Sequence, residues 1–343
     1  MAMVSRVPFQ LTGRYAERSK WEVLNGPGDS RPTGLQVIED EGLVGAMRDK
    51  VVLITGVSSG MGPETVRALA STGATIFGTA RNLDKAREAL GAPLLETGRV
   101  HLLFIDQADL SSVRACATEF RKQSGGKLNI MINNAAVMKT PESRTKDGFE
   151  LHFETNHLSH FLLFYLLKDV LLASSTPDFH SRVVNVSSSG HRISPVRFDN
   201  LTLEGEYDGW AAYGQSKTAN IYMANQIERL YGASGLHGLS LNPGSFESPN
   251  LQKHIPDEMA AAWKNERIAK FFLSLPQSCA TSVYAAVSRE FEGRGALYLE
   301  GASVAGPAPA DADVVEYGYR EWAFDREKEE RLWEVSKEMV GVE

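Results

Sequence analysis

The sequence predicts an α/β protein: a doubly wound parallel sheet with helices on both faces, in a single domain. Three observations predict it. Short, wholly apolar runs recur along the chain, segments of helical period alternate with them, and a glycine-rich turn follows the first run at once. The runs are VVLIT (51–55), ATIFGTA (74–80), VHLLFID (100–106), LNIMIN (128–133), RVVNVS (182–187) and HGLSL (237–241). Continuous rather than alternating apolarity marks strands buried on both faces. The helical segments are Pro63–Ser71, Asp84–Leu90, Ser111–Gln123, Phe149–Ser174 and Tyr213–Tyr231.

Residues 1–49 form an N-terminal extension rich in breakers, NGPGDSRPTG among them, which packs on or trails from the main domain at 50–305. Residues 306–343 form a C-terminal helical extension. Its EWAFDREKEERLWEVSKEMV reads as an amphipathic helix, with Trp322, Leu332, Trp333 and Val335 on the buried side and the charges of Arg326–Arg331 in water.

Composition narrows the function. The chain has 343 residues and a net charge of −7, which argues against nucleic acid as its partner. Cys116 and Cys279 make neither a disulfide framework nor a zinc site, so a reducing compartment is expected. The longest apolar stretch, Phe161–Leu167, is far short of the ~20 residues a membrane span needs. The first residues do not read as a signal peptide, and the expected location is cytoplasmic.

The first strand runs into Thr55-Gly56-Val57-Ser58-Ser59-Gly60-Met61-Gly62, and a helix follows with Pro63 in its first turn. A pyrophosphate sits against backbone N–H groups at a helix N-terminus, where side chains would block its approach. Gly56 suits the tight turn, Gly60 the close approach and Gly62 the packing of helix on strand. The fold expected is therefore Rossmann-type. The spacing TGxxxGxG resembles that of the short-chain dehydrogenase/reductase family over about Lys50 to Ala305. NHLSHFLL, RVVNVSSSGHR and YGQSKTAN resemble the branch that holds the retinol dehydrogenases and the WW-domain oxidoreductase.

The second strand ends in Arg81 and carries no carboxylate at its tip. A guanidinium there, with a hydroxyl from Ser58 or Ser59, suits the adenosine 2′-phosphate of NADP(H) rather than the free hydroxyl of NAD. The resemblance implies that Asp106 and Gln107 face the adenine, and that Asn133, Ala135 and Ala136 border the adenosine ribose, with Ala136 where the family has glycine. It implies that Pro243, Gly244, Phe246 and Ser248 lie beside the nicotinamide carboxamide.

Tyr213 and Lys217 stand four apart on one helix and share a face. An adjacent ammonium favours the phenolate and lowers the phenol pKa, making tyrosine a usable proton carrier. The resemblance implies that Lys217 also binds the nicotinamide ribose, that Ser188 bonds the reacting oxygen, and that Asn156 holds a water linked to the lysine. The expected activity is hydride transfer between NADP(H) and a carbonyl or secondary alcohol. A dehydratase, isomerase or cyclase on the same scaffold and a nicotinamide-sensing protein are the alternatives. The complete Asn156–Ser188–Tyr213–Lys217 set favours redox catalysis.

His152, His157 and His160 lack the spacing of a helical zinc pair, so no metal is expected. Two segments, 190–212 and 245–275, are expected to form a substrate lid, with His191, Phe198, Trp210, Phe246 and Met138 facing an apolar, aromatic or polyketide-like substrate. RPTGLQVIEDEGLVG is similar to extensions of filamentous-fungal reductases, some of them in specialised metabolism. The helices 149–174 and from Tyr213 are expected to offer a four-helix interface for a homodimer or homotetramer.

Overall fold

The computed structural model describes residues 10–262, 265–312 and 316–343. In chain order the strands are β1 (Leu11–Thr12), β2 (Val51–Thr55), β3 (Thr75–Ala80), β4 (Val100–Phe104), β5 (Ile130–Asn133), β6 (Ser181–Val186), β7 (Leu236–Leu241), β8 (Ser245–Phe246), β9 (Phe272–Leu273), β10 (Leu297–Glu300) and β11 (Ser303–Ala305). All but β8 and β9 join one nine-stranded sheet, ordered β1-β11-β10-β7-β6-β5-β2-β3-β4. From β10 to β4 the neighbours run parallel. The chain leaves β2 in one direction through β3 and β4, then returns to β5 on its other side. A crevice opens at such a reversal, beyond the carboxyl ends of the strands.

The main helices are α1 (Gly34–Asp40), α2 (Met61–Ala70), α3 (Leu83–Leu90), α4 (Leu110–Gln123), α5 (Ser159–Ser174), α6 (Gly209–Tyr231), α7 (Ala280–Val287) and α8 (Arg326–Val340). Alternation along the strands divides the core between two faces. Val52, Ile54, Ile76, Ile132 and Val184 pack beneath α1, α2 and α7. Leu53, Phe77, Met131 and Val183 pack beneath α4, α5 and α6.

From residue 10 onward, the N-terminal extension is part of this body. β1 extends the sheet beside β11, with Leu11 opposite Ala305. Tyr15 is buried edge-on against Tyr284, centroids 5.3 Å apart, and its hydroxyl donates to Asp40 at 2.9 Å. Thr33 caps α1, and a Cβ at Gly34 would lie 2.5 Å from Cys279 Sγ, so only glycine lets α1 sit this close to α7.

The expected continuous helix over 149–174 differs in detail. Glu150 caps its start at Leu151, and residues Glu154–Leu158 form a π-helical turn before α5. Asn156 occupies that wider turn with its side chain turned to Val137 and Ser216, and such bulges recur at functional sites. α6 begins at Gly209 rather than Tyr213, because Asp208 accepts from the N–H groups of Trp210 and Ala211. Trp210 is thus on the helix and not in a lid loop.

α8 lies across α5 and α6. Trp333 packs edge-on to Phe161 at 4.9 Å and meets Phe164 at 6.0 Å. His157 Nε2 bonds Ser336 Oγ at 2.9 Å, and Asn225 donates to Glu329 at 2.7 Å. Leu332 and Trp333 are buried as expected, whereas Trp322 and Val335 are only half-buried. α8 thus covers part of the surface that α5 and α6 share.

Candidate active site

One large cavity, about 1510 Å³, opens along the carboxyl ends of β2 to β7. Of the expected cofactor contacts only Asn133 does not line it. The Asn133 amide is spent within the sheet, donating to Asn185 at 2.7 Å.

The glycine turn is shaped by contacts that admit no side chain. Gly56 has φ +77° and Gly60 φ +65°. A Cβ at Gly62 would stand 2.1 Å from the carbonyl oxygen of Gly56, which is the close packing of α2 on β2. A Cβ at Gly60 would reach Ser248 Oγ at 3.3 Å, so the segment after β7 closes over the turn. The positive end of α2 faces the cavity between them, a ready anion site. Thr55, at the start of the glycine motif, has a structural part that the motif alone does not reveal. Its hydroxyl accepts from the backbone N–H groups of Asn134 (2.9 Å) and Ala135 (3.0 Å), tying the β5 tip to β2. Ala136 is not among the described residues with positive φ, so its methyl group sits on ordinary backbone.

At the far end Arg81 is exposed and lines the cavity, and Asn82 caps α3. Lys85, on the first turn of α3, also lines it and adds a second cation that the sequence reading missed. Asp106 Oδ1 accepts from Ala108 N–H at 3.1 Å. Gln107 turns its amide to His160 Nε2 at 2.6 Å.

His160 is a core histidine with a bridging place. Its Nδ1 meets only the Asn156 carbonyl, at 3.0 Å, so that nitrogen carries the proton. Nε2 then accepts from Thr55 Oγ1 at 2.8 Å and from Gln107. Burial holds its pKa down at about 4, so the ring is neutral. Asn156 itself does not line the cavity. Its side chain both donates to and accepts from the backbone of Val137 and donates to Ser216, and its carbonyl is taken by His160.

Ser188, Tyr213 and Lys217 stand together on the cavity wall. The Tyr213 ring lies on Gly190, where a Cβ would be 2.6 Å from Cε1. Lys217 Nζ donates to the Val186 carbonyl at 3.0 Å and stands 5.6 Å from the Tyr213 ring centroid. Contrary to expectation, the phenol is not lowered. Burial pushes Tyr213 up to about 12, with the Ser188 hydrogen bond pulling the other way, and burial brings Lys217 down to about 7. Both groups are out of water, so each favours its neutral form more strongly than it feels its partner.

Met138, Trp210 and Phe246 line the remaining space, joined by Ile193, Leu251 and Phe272. Two expected pocket residues do not. His191 turns beneath the site, bonding the Ser188 carbonyl at 2.7 Å and accepting from Arg320 N–H at 3.2 Å. Phe198 lies under the Arg331 guanidinium at 4.4 Å, on the side of α8. Among the described residues no three His, Cys, Asp or Glu side chains converge as a metal set, and no helix is long and apolar enough to cross a membrane.

Residues 50–259 match the family model described as short chain dehydrogenase. The chain is a member of the short-chain dehydrogenase/reductase family. It is similar to short-chain dehydrogenase/reductase prx1 of Penicillium roqueforti, 48% identical over 93% of both chains. Oxidoreductase calI of Penicillium decumbens is 42% identical over 93% of this chain and 95% of its own. Retinol dehydrogenase 12 of Mus musculus is 34% identical over 86% and 87% respectively, which sets the chain in the retinol dehydrogenase-like branch. Among solved structures, an uncharacterised protein from Mycobacterium paratuberculosis superposes with a TM-score of 0.62 at 28% identity, covering 86% of this chain and 94% of its own. NADPH-bound carbonyl reductase from chicken fatty liver shares the fold, with a TM-score of 0.55 at 20% identity over 75% and 98%. The short-chain family is one of oxidoreductases that use a nicotinamide cofactor.

Proposed function

We propose that the protein is an NADP(H)-dependent carbonyl reductase for an apolar substrate, with Tyr213 as proton donor. The observation that carries this reading is one cavity wall bearing Ser188, Tyr213 and Lys217, continuous with a glycine cradle that ends at Arg81. The cradle fits the cofactor by its donor set. Ser58 to Gly62 bring a helix N-terminus for phosphates, and Arg81 with Lys85 offers cations for a 2′-phosphate where no carboxylate holds a free hydroxyl. Asp106, Gln107, Ala135 and Ala136 border the adenosine portion, and Pro243, Gly244, Phe246 and Ser248 the nicotinamide end. Reduced nicotinamide, when bound, supplies the hydride to the carbonyl carbon.

The residues do the rest. A phenol raised to about 12 is protonated at neutral pH, so Tyr213 enters as an acid. As the carbonyl oxygen gains charge, the Tyr213 O–H bond breaks and its proton completes the alcohol. Ser188 donates to the same oxygen and stabilises it during the transfer. Lys217, in its ammonium form, steadies the phenolate, which solvent reprotonates. Asn156 positions Val137 beside the pocket and anchors the start of α6 through Ser216. The apolar walls favour a hydrocarbon-rich substrate, and retinol dehydrogenase 12 bears the name of such an alcohol.

The test is NADPH absorbance with a panel of apolar ketones and aldehydes, with NADH run in parallel. Turnover with NADPH is expected, and Arg81→Ala is expected to weaken NADPH binding about tenfold or more while leaving NADH unaffected. Product formed without NADPH consumption, or NADPH bound with nothing turned over, sinks the reading.

A further inference from the structure

The N-terminal extension reaches the substrate half of the cavity through one buried ion pair. Arg31 and Asp29 meet at 2.8 Å, with side chains 4% and 2% exposed. Asp29 takes the Arg31 Nε and backbone N–H and stands beside Nη2, and both terminal nitrogens also reach acceptors further along the chain. They donate to three consecutive backbone carbonyls: Lys270 at 3.1 Å, Phe271 at 2.8 Å and Phe272 at 2.7 Å. These acceptors lie some 240 residues away in the chain. Gln277 reinforces the joint, accepting from Gly28 N–H at 2.8 Å and donating to the Arg31 carbonyl at 2.9 Å. Trp21 packs on Phe271, centroids 5.6 Å apart.

What is held there matters for the site. β9 begins at Phe272 and pairs with β8, Ser245 opposite Phe272 and Phe246 opposite Leu273. Between these two strands the chain makes an excursion that brings Leu251, Met259 and Ile268 to the cavity. A Cβ at Gly244 would stand 2.6 Å from Leu273 Cδ1, so β9 also presses on the turn after β7. One root of this flap leaves the sheet at β7. The other root is β9, and the carbonyls of Lys270, Phe271 and Phe272 at its entrance end on Arg31.

We propose that Arg31 is a positioning residue for substrate selection: its guanidinium fixes β9 and thereby sets the shape of the apolar wall formed by the flap. Five donors in a rigid fork can gather several carbonyls at once, which a lysine ammonium cannot do at the same geometry. Removal of the arginine alone would strand Asp29 as a buried charge, so the informative variants are Arg31→Lys and the double change Asp29→Ala with Arg31→Ala.

Hydrogen–deuterium exchange on the full-length protein reads the flap directly. In both variants, peptides covering 245–252 and 266–273 are expected to exchange about tenfold faster, with 51–62 and 75–85 unchanged. In steady-state kinetics, the KM of a bulky apolar carbonyl is expected to rise about tenfold, well beyond any rise in the KM of NADPH, whose phosphate contacts at 58–62 and Arg81 lie outside the flap, while the turnover of a small carbonyl holds. The kinetic arm rests on the reductase reading above; the exchange arm does not. Exchange that is unchanged, or faster in the cofactor peptides as much as in the flap, overturns the proposal. If wild-type protein turns over no carbonyl, the reductase reading fails and exchange alone decides this one.

Discussion

The two halves of the cavity are held by different kinds of bond. In the cofactor half, the walls are strand tips and a helix start, secured mainly by backbone pairing, with Thr55 Oγ1 as a local side-chain tie: the N–H groups of Gly56 and Val57 both reach the Thr79 carbonyl. In the substrate half, the wall is a flap closed by a two-residue strand pair and anchored by side chains from distant parts of the sequence. A backbone ladder is shared among many residues and yields only where a side chain will not fit. A side-chain anchor can be released by one substitution. Changes in the first half are therefore expected to stop the enzyme, and changes in the second to redirect it.

Tyr213 stands where the halves meet, and its loss is the largest effect expected. Tyr213→Phe should lower carbonyl reduction by about 10²–10⁴-fold while NADPH still binds, as followed by initial rates and fluorescence titration. Retained turnover would mean that the proton comes from another group.

Gly62→Ala challenges the cofactor half alone. The added methyl group would overlap the Gly56 carbonyl, so a loss of about 1–3 kcal/mol in stability and weakened NADPH binding are expected together in thermal unfolding and titration. Normal affinity in this variant would show that the turn is softer than the ladder picture allows.

Lys217 gives a pH signature. Its pKa is lowered from 10.5 to about 7 by burial, so the cofactor-free protein carries the ammonium below pH 7 and the neutral amine above. On the reading that Lys217 donates to the ribose hydroxyls of the cofactor, NADPH affinity should fall as pH rises through about 7, and Lys217→Met should flatten that profile. The unfolded chain keeps the proton up to its ordinary value, so this residue makes the cofactor-free fold more stable as pH rises from about 7 towards 10.5. Isothermal titration at several pH values checks the first sign and chemical denaturation the second.

The smallest effect belongs to the substrate half. Trp210→Ala should change the ranking of carbonyl substrates by only a few-fold, about 1 kcal/mol per pair compared, with NADPH binding untouched. A collapse of all activity would instead give Trp210 a structural part in starting α6.

The cofactor half was legible because its signals are contiguous. An apolar run, glycines and a helix start within a dozen residues carry their own geometry, and Arg81 follows directly from the strand before it. Lys85 was within reach of the same reasoning, one helical turn beyond Arg81. His160 was too, four residues after Asn156 on the same face, although nothing in the sequence says that Thr55 and Gln107 complete its bonds. Asp208 is a cap that the rule for helix starts identifies. His191 and Phe198 were misplaced because aromatic character does not say which way a side chain turns after an irregular stretch. Arg31 was beyond reach for a deeper reason. Its partners are backbone carbonyls, which every residue has, so no residue type marks them.

The stretch that matches the family, 50–259, ends before β10, β11 and α8, and begins after β1 and Arg31. A chain trimmed to that stretch would leave the β7 edge unpaired and uncover Phe161, Phe164 and Tyr231 together. Open strand edges beside bare aromatic surface invite clumping. Minimising this enzyme for expression should therefore proceed from its loops inward, with both ends kept.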